Sequence, residues 1–241
     1  MEQLFWYFEV YGYLFVVIAS VFAMIASANV NRTFQKYSRQ HSSLGITGEQ
    51  AAKRVLNDNG VYDVAVARTS GNLTDHYDPK SNTVFLSDSV FSATSTAAIG
   101  VAAHEAGHAV QHAEQYAPIR LRTAIVPITN FGSRLATPMI LIGLLLSGYL
   151  ASSLGYYIAL VGVYLFSFCV IFQLVTLPTE FNASSRAMRA LERGGILIDE
   201  ELVGARKTLT AAAMTYVAAL AVSLMQFLRL LAIVMGGKRR K

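Results

Sequence analysis

Four long apolar runs constrain this chain more than anything else in it. They cover residues 4–28, 136–153, 157–177 and 208–236. Each approaches or exceeds the roughly 20 residues that a helix needs to cross the hydrocarbon of a bilayer. In lipid a backbone must satisfy its own hydrogen bonds, so such runs form helices. The chain is 54% hydrophobic and only 15% charged, poor in charge for a soluble domain. The fold class that follows is an α-helical polytopic membrane protein carrying one small α+β domain built from the polar stretches. The first run has no Lys or Arg before it and is too long for a cleaved signal sequence. It reads as a retained transmembrane helix, with Glu9 at the headgroup boundary.

The linking segments suggest how the runs are ordered. Leu154-Gly155-Tyr156 is a very short connection, so residues 136–177 read as an antiparallel transmembrane hairpin. Tyr149, Tyr156 and Tyr157 at its tip suit an interfacial aromatic belt. Pro118 begins an amphipathic linker, 118–135, that carries Arg120, Arg122 and Arg134. Pro178 is predicted to stop the third span, with Thr179 capping a separate polar helix that Gly194-Gly195 ends. Asp199, Glu200 and Glu201 open the last helix, and residues 237–241 form a basic tail. With four crossings, the segments 30–135 and 178–207 share one face. Most of the Lys and Arg near span ends lie there, so the positive-inside tendency places that face in the cytoplasm of a multi-pass cell-membrane protein. The tail opposes this, and Arg229 interrupts the last run, so whether 208–236 crosses fully stays open. The net charge of +5 sits beside apolar segments, which points to lipid headgroups and not to nucleic acid. Cys169 is the single cysteine, which excludes an intramolecular disulfide. Nothing in the sequence fixes the oligomeric state.

Residues 29–117 read as one folded segment, and the motif it carries makes it the candidate catalytic segment. Thr47 and Gln50 form a capping box before a helix with the apolar stripe Ala51, Ala52, Val55 and Leu56, ending at Asn59-Gly60. Strands are predicted over 61–67, 73–77 and 83–87. A helix over about 95–114 follows. Its many Ala and Gly residues allow another backbone to come close.

That helix carries His104-Glu105-Ala106-Gly107-His108. Residues four apart lie one turn above each other, so the two imidazoles can face one ion. Two neutral imidazoles suit Zn²⁺, and Glu105 beside them can take a proton from a water on that ion. A catalytic site needs a third protein ligand. His112 continues the series, but its Cα is about 12 Å along the axis from that of His104 at 1.5 Å per residue, too far for one ion. Asp75, His76, Asp78, Glu180, Glu192, Glu200 and Glu201 remain as alternatives. Glu180 stands out because it follows a span directly, though a first-turn carboxylate there would also suit the helix dipole.

The motif, together with Leu177-Pro178-Thr179-Glu180-Phe181-Asn182-Ala183-Ser184-Ser185-Arg186-Ala187 and Leu73-Thr74-Asp75-His76-Tyr77-Asp78-Pro79, resembles the YugP-type membrane zinc metallopeptidases. More distantly it is similar to the gluzincins of the HtpX and CAAX-prenyl-protease kind. The likeness spans nearly the whole chain. It implies a zincin-like catalytic domain and a zinc-dependent endopeptidase acting on membrane-associated proteins or peptides. It implies one Zn²⁺ on His104, His108 and Glu180, with Glu105 as general base. In the wider gluzincin group an Asp four residues after the Glu orients a ligating His. Here Ser184 stands at that position, so the orienting role passes to Ser184, Ser185 or Asn182. His76, Tyr77 and Arg186 are candidates for stabilising an oxyanion. Two rivals stand beside this reading. One is a non-enzymatic membrane scaffold or chaperone-like protein with a structural zinc. The other is an intramembrane-cleaving protease, against which the polar flanks Ser87-Asp88-Ser89 and His112-Ala113-Glu114-Gln115 argue.

Overall fold

A computed structural model of the chain describes residues 2–149 and 153–239. The elements run α1 (Glu2–Tyr37), α2 (Gly48–Asp58), β1 (Ala65–Thr69), β2 (His76–Asp78), β3 (Thr83–Ser87), α3 (Thr96–Ala113), α4 (Ala117–Tyr149), α5 (Ser153–Arg193) and α6 (Asp199–Arg239). The described residues are mostly helical, with four helices long and apolar enough to cross a membrane and one small sheet. Contacts divide the chain into two units.

The first unit takes α1 up to Ile25, Leu121–Leu177, and α6 from Tyr216 onward. Only 17–22% of each apolar helical window is buried, and Val10, Leu14, Ile18, Phe131, Leu141 and Leu145 are among the side chains left exposed. The hairpin of α4 and α5 is antiparallel: Gly143 faces Ala159, and Gly162 faces Ala136 and Ile140. Small residues at these crossings let backbones touch where the hydrophobic effect between helices is absent. A compact cluster of Ile140, Ala159, Val163 and Val234 holds α4, α5 and α6 together.

The second unit, Ala26–Arg120 with Pro178–Thr215, has a conventional core. Val55 and Leu56 of α2, Val84 and Leu86 of β3, Ile99 and Ala103 of α3, and Ala187 and Leu191 of α5 share one buried cluster. The sheet order is β1-β3-β2, with β1 parallel and β2 antiparallel to the central β3. The sequence Thr83-Val84-Phe85-Leu86-Ser87 suits that central place, because it is buried along nearly its whole length. β2 is left as an edge.

Several boundaries differ from those expected. The first strand starts at Ala65, not 61, because Val61 turns back to donate to the Leu56 carbonyl and buries its side chain. The second begins at His76, not 73, because Leu73 adopts a left-handed φ of 54° that no strand allows. Residues 118–135 are not a separate linker but the first half of α4, which carries Pro127 and Pro138 inside it. Leu154, Gly155 and Tyr156 lie within α5, and the chain between α4 and α5 falls on 150–152, outside the described residues. The tail residues 240–241 also lie outside them.

The largest difference is at Pro178. It does not stop a helix, since α5 runs through it to Arg193. A proline inside a helix costs about 3 kcal/mol. Beyond it the helix buries Thr179, Glu180, Ala183, Ala187 and Leu191, and that packing offsets the lost hydrogen bond. Thr179 is therefore no cap: it is fully buried and its carbonyl accepts from Gln111.

A candidate metal centre in the second unit

Ser95 caps α3 by accepting from the Ala98 amide, which fixes where the helix starts and therefore its register. His104 and His108 then lie one turn apart, their rings edge to face at 4.7 Å. Gly107, between them, lies against α5. A Cβ there would lie 2.9 Å from the Ala183 carbonyl oxygen. That near-contact of backbones brings Glu180, one turn before Ala183, over both histidines.

Glu180 Oε2 is 3.2 Å from His104 Nε2 and 3.4 Å from His108 Nε2. One ligand atom from each of the three residues can be chosen so that all lie within 4.8 Å of one another. The Glu180 side chain is 2% exposed, and a carboxylate so buried needs a positive charge beside it. Burial alone would pull the His108 imidazole down, but Glu180 and Glu105 outweigh burial and hold it above its ordinary value. The pocket thus favours a cation.

The far side of each ring is held as well. Ser184 Oγ is 3.1 Å from His104 Nδ1. Gln111 Oε1 is 3.0 Å from His108 Nδ1. The Gln111 amide cannot be turned round, because its nitrogen donates to the Thr179 carbonyl and to Asn182 Oδ1, each at 2.9 Å. His108 Nδ1 must therefore be the N–H donor, which leaves a lone pair on Nε2 facing Glu180 in the neutral ring. Asn182 Oδ1 also accepts from Arg186 Nε at 2.7 Å, and Arg186 pairs with Glu114 at 2.7 Å. Two imidazole nitrogens and a carboxylate converging, each imidazole oriented from behind, form a donor set that fits zinc.

Glu105 is half-buried on the same helix. Its charge acts on His108 and on Asp75. Asp75 is not among the converging ligand atoms. It accepts from the Ser87 amide at 2.7 Å and from Ser87 Oγ at 2.9 Å. Burial pushes its carboxyl up against those two hydrogen bonds, with a further push from Glu105. His76 is exposed on β2, stacked on Phe85 at 5.1 Å with Nδ1 on the Thr74 carbonyl. Tyr77 donates its hydroxyl to Asn82 and packs its ring against His112 at 5.6 Å. His112 stays out of the metal cluster, and burial, then His108, pulls its imidazole down.

Of the residues singled out from sequence, His104, His108, Glu180, Asn182 and Ser184 meet in one place. His76 and Tyr77 stand on the edge strand, and Arg186 reaches the centre only through Asn182. Gln111 was not foreseen. Its signal was present: a polar side chain at i+3 from a ligand, on a helix face otherwise made of Ala, Gly and Val.

Comparison with known proteins points to zinc as well. Residues 12–235 match the family described as "putative neutral zinc metallopeptidase". The chain is 44% identical to the "putative membrane protease YugP" of Bacillus subtilis (strain 168), over 94% of this chain and 98% of that one. No solved structure matches it significantly.

Proposed function

The chain belongs to the neutral zinc metallopeptidase family that matches it over residues 12–235, and from that premise we propose a membrane-embedded, zinc-dependent endopeptidase of gluzincin type. The observation that carries the proposal is the convergence of His104, His108 and Glu180 beside a free-standing Glu105. Zinc there would supply Lewis acidity and an activated water. His104, His108 and Glu180 would hold it, with Ser184 and Gln111 fixing the two rings. Glu105 would accept the proton of the attacking water and return it to the leaving amine. Among the described residues three ligands converge and no fourth joins them, which favours an open catalytic site over a closed structural one.

In this reading the second unit is a small zincin-like domain. β2, an edge strand, would pair with an extended stretch of a membrane-associated protein or peptide, and His76 on that edge would touch it. The hydrogen bonds of Tyr77 and Arg186 commit them to Asn82, Asn182 and Glu114, so neither is assigned the oxyanion here. The catalytic face would be cytoplasmic, on the distribution of Lys and Arg. The test is Glu105→Gln in the purified full chain. Zinc content should be unchanged and cleavage of an unfolded test protein should fall by about 10²–10⁴-fold. Cleavage retained by that variant would refute the assignment.

A further inference from the structure

Beyond the metal centre, the second unit has a pocket of about 570 Å³ lined by four arginines. Arg186, Arg189 and Arg193 of α5 follow an i, i+3, i+7 spacing, so they share one face of the helix. Arg54 and Asp58 of α2, one turn apart, form the opposite wall. The two helices are held at this distance by Val55, Leu56, Ala187 and Leu191 in the core beneath. Gly194 completes the wall at the end of α5, with Asp58 against it.

The charges in this pocket do not cancel. Arg186 is paired with Glu114. Arg189 donates only to the neutral Ser185 hydroxyl. Among the described residues neither Arg54 nor Arg193 has an ion pair, although Asp58 lines the same wall. Setting Asp58 against Arg54, Arg189 and Arg193 leaves two positive charges facing one pocket. Guanidinium groups present paired N–H donors that match the oxygens of phosphate, and like charges gathered in one place repel until an anion joins them. Apart from Ala190 and Gly194 every residue lining the pocket is charged or an amide.

We propose that this pocket binds a phosphate dianion, free or esterified, held by Arg54, Arg189 and Arg193. The site lies behind the metal centre, not in it. Arg186 connects the two through Asn182 and Gln111 to His108 Nδ1. The inference does not depend on the peptidase reading, because it uses none of the proposed zinc ligands. The phosphate could belong to a small solute or to an anionic phospholipid headgroup, and the two can be told apart.

The experiment uses the zinc-loaded full chain in an uncharged detergent. Inorganic phosphate is titrated at constant ionic strength against chloride, and Tm is followed. Wild type should show a saturable rise in Tm. The double variant Arg54→Gln/Arg193→Gln should need at least about tenfold more phosphate for the same rise. Its Tm without phosphate should equal or exceed that of wild type, because neither side chain has an ion pair to lose and their removal relieves the crowding of like charge. A parallel arm places both proteins in nanodiscs of phosphatidylcholine with or without phosphatidic acid. A rise in Tm with phosphatidic acid that the double variant loses assigns the headgroup, and a rise with inorganic phosphate alone assigns a free solute. No saturable response in wild type, or the same response in the double variant, overturns the proposal.

Discussion

The two units use glycine in the same way and for different ends. In the first, Gly143 meets the backbone of Ala159 between two outward-facing apolar helices. The contact holds a hairpin together and nothing polar depends on it. In the second, Gly107 meets the Ala183 carbonyl. There the contact sets the height of Glu180 over His104 and His108, and the convergence of three polar side chains depends on that height. Close packing in the first unit therefore serves stability, while in the second it also sets how His104, His108 and Glu180 converge. Mutations of similar size should have unlike consequences in the two.

The sharpest contrast is at Gln111, a fully buried amide that has no counterpart among the described residues of the first unit. Gln111→Ala removes the acceptor that fixes His108 and orphans the Arg186–Asn182 link. Zinc affinity should fall by about 100-fold, the upper part of the range for groups behind a metal ligand. Ser184→Ala should cost nearer tenfold, since the half-buried site lets water replace the hydroxyl. Competition with a chromophoric chelator measures both. Equal effects, or none, would mean the rings are oriented by packing alone.

Gly107→Ala tests the glycine comparison itself. A Cβ 2.9 Å from a backbone carbonyl oxygen forces α3 and α5 apart. The helix-propensity gain of about 1 kcal/mol cannot restore ligand geometry. Zinc affinity should drop about tenfold with the fold retained. Gly148→Ala in α4, where nothing lies within 4 Å of the new Cβ, should leave zinc binding unchanged and Tm level or higher. A matching zinc loss in both variants would erase the distinction between the units.

The smallest effect concerns Asp75. Its folded pKa is raised, mainly by burial. The folded state therefore keeps this proton to higher pH than the unfolded chain does. Asp75 accordingly lowers stability as pH rises through its unfolded value toward the raised folded one, and below both it imposes no penalty. Asp75→Asn keeps an acceptor for the Ser87 amide and removes the titration. The Tm difference between about pH 4 and pH 7 should change in the variant's favour at pH 7. An unaltered pH profile would contradict this account.

The two levels of sequence information differed in reach. The apolar runs and the histidine spacing were legible because each follows from a period: about 20 residues of hydrocarbon, and four residues per helical turn. The cap at Thr47 was legible from local chemistry, as was the break at Gly194-Gly195. Pro178 misled, because the cost of a proline is local while the burial of Glu180 and Leu191 that offsets it comes from residues some 80 positions away. Leu73 misled in the same manner, its side chain apolar but its backbone left-handed. Glu180 itself could be singled out by position and resemblance, but spacing left it one acid among several. Gln111 left a trace in the sequence, a polar side chain three residues after His108, but its role follows from partners on a second helix, Thr179 and Asn182.

The central claim is that one zinc sits on two histidines and a glutamate with a place left open. Zinc K-edge X-ray absorption on the purified full chain with one equivalent of zinc tests it most directly. The account predicts two imidazole nitrogens at about 2.0–2.1 Å and two oxygens, one from Glu180 and one from water. In Glu180→Ala the carboxylate contribution should vanish. A third imidazole, a sulfur, or a spectrum unmoved by Glu180→Ala would contradict it.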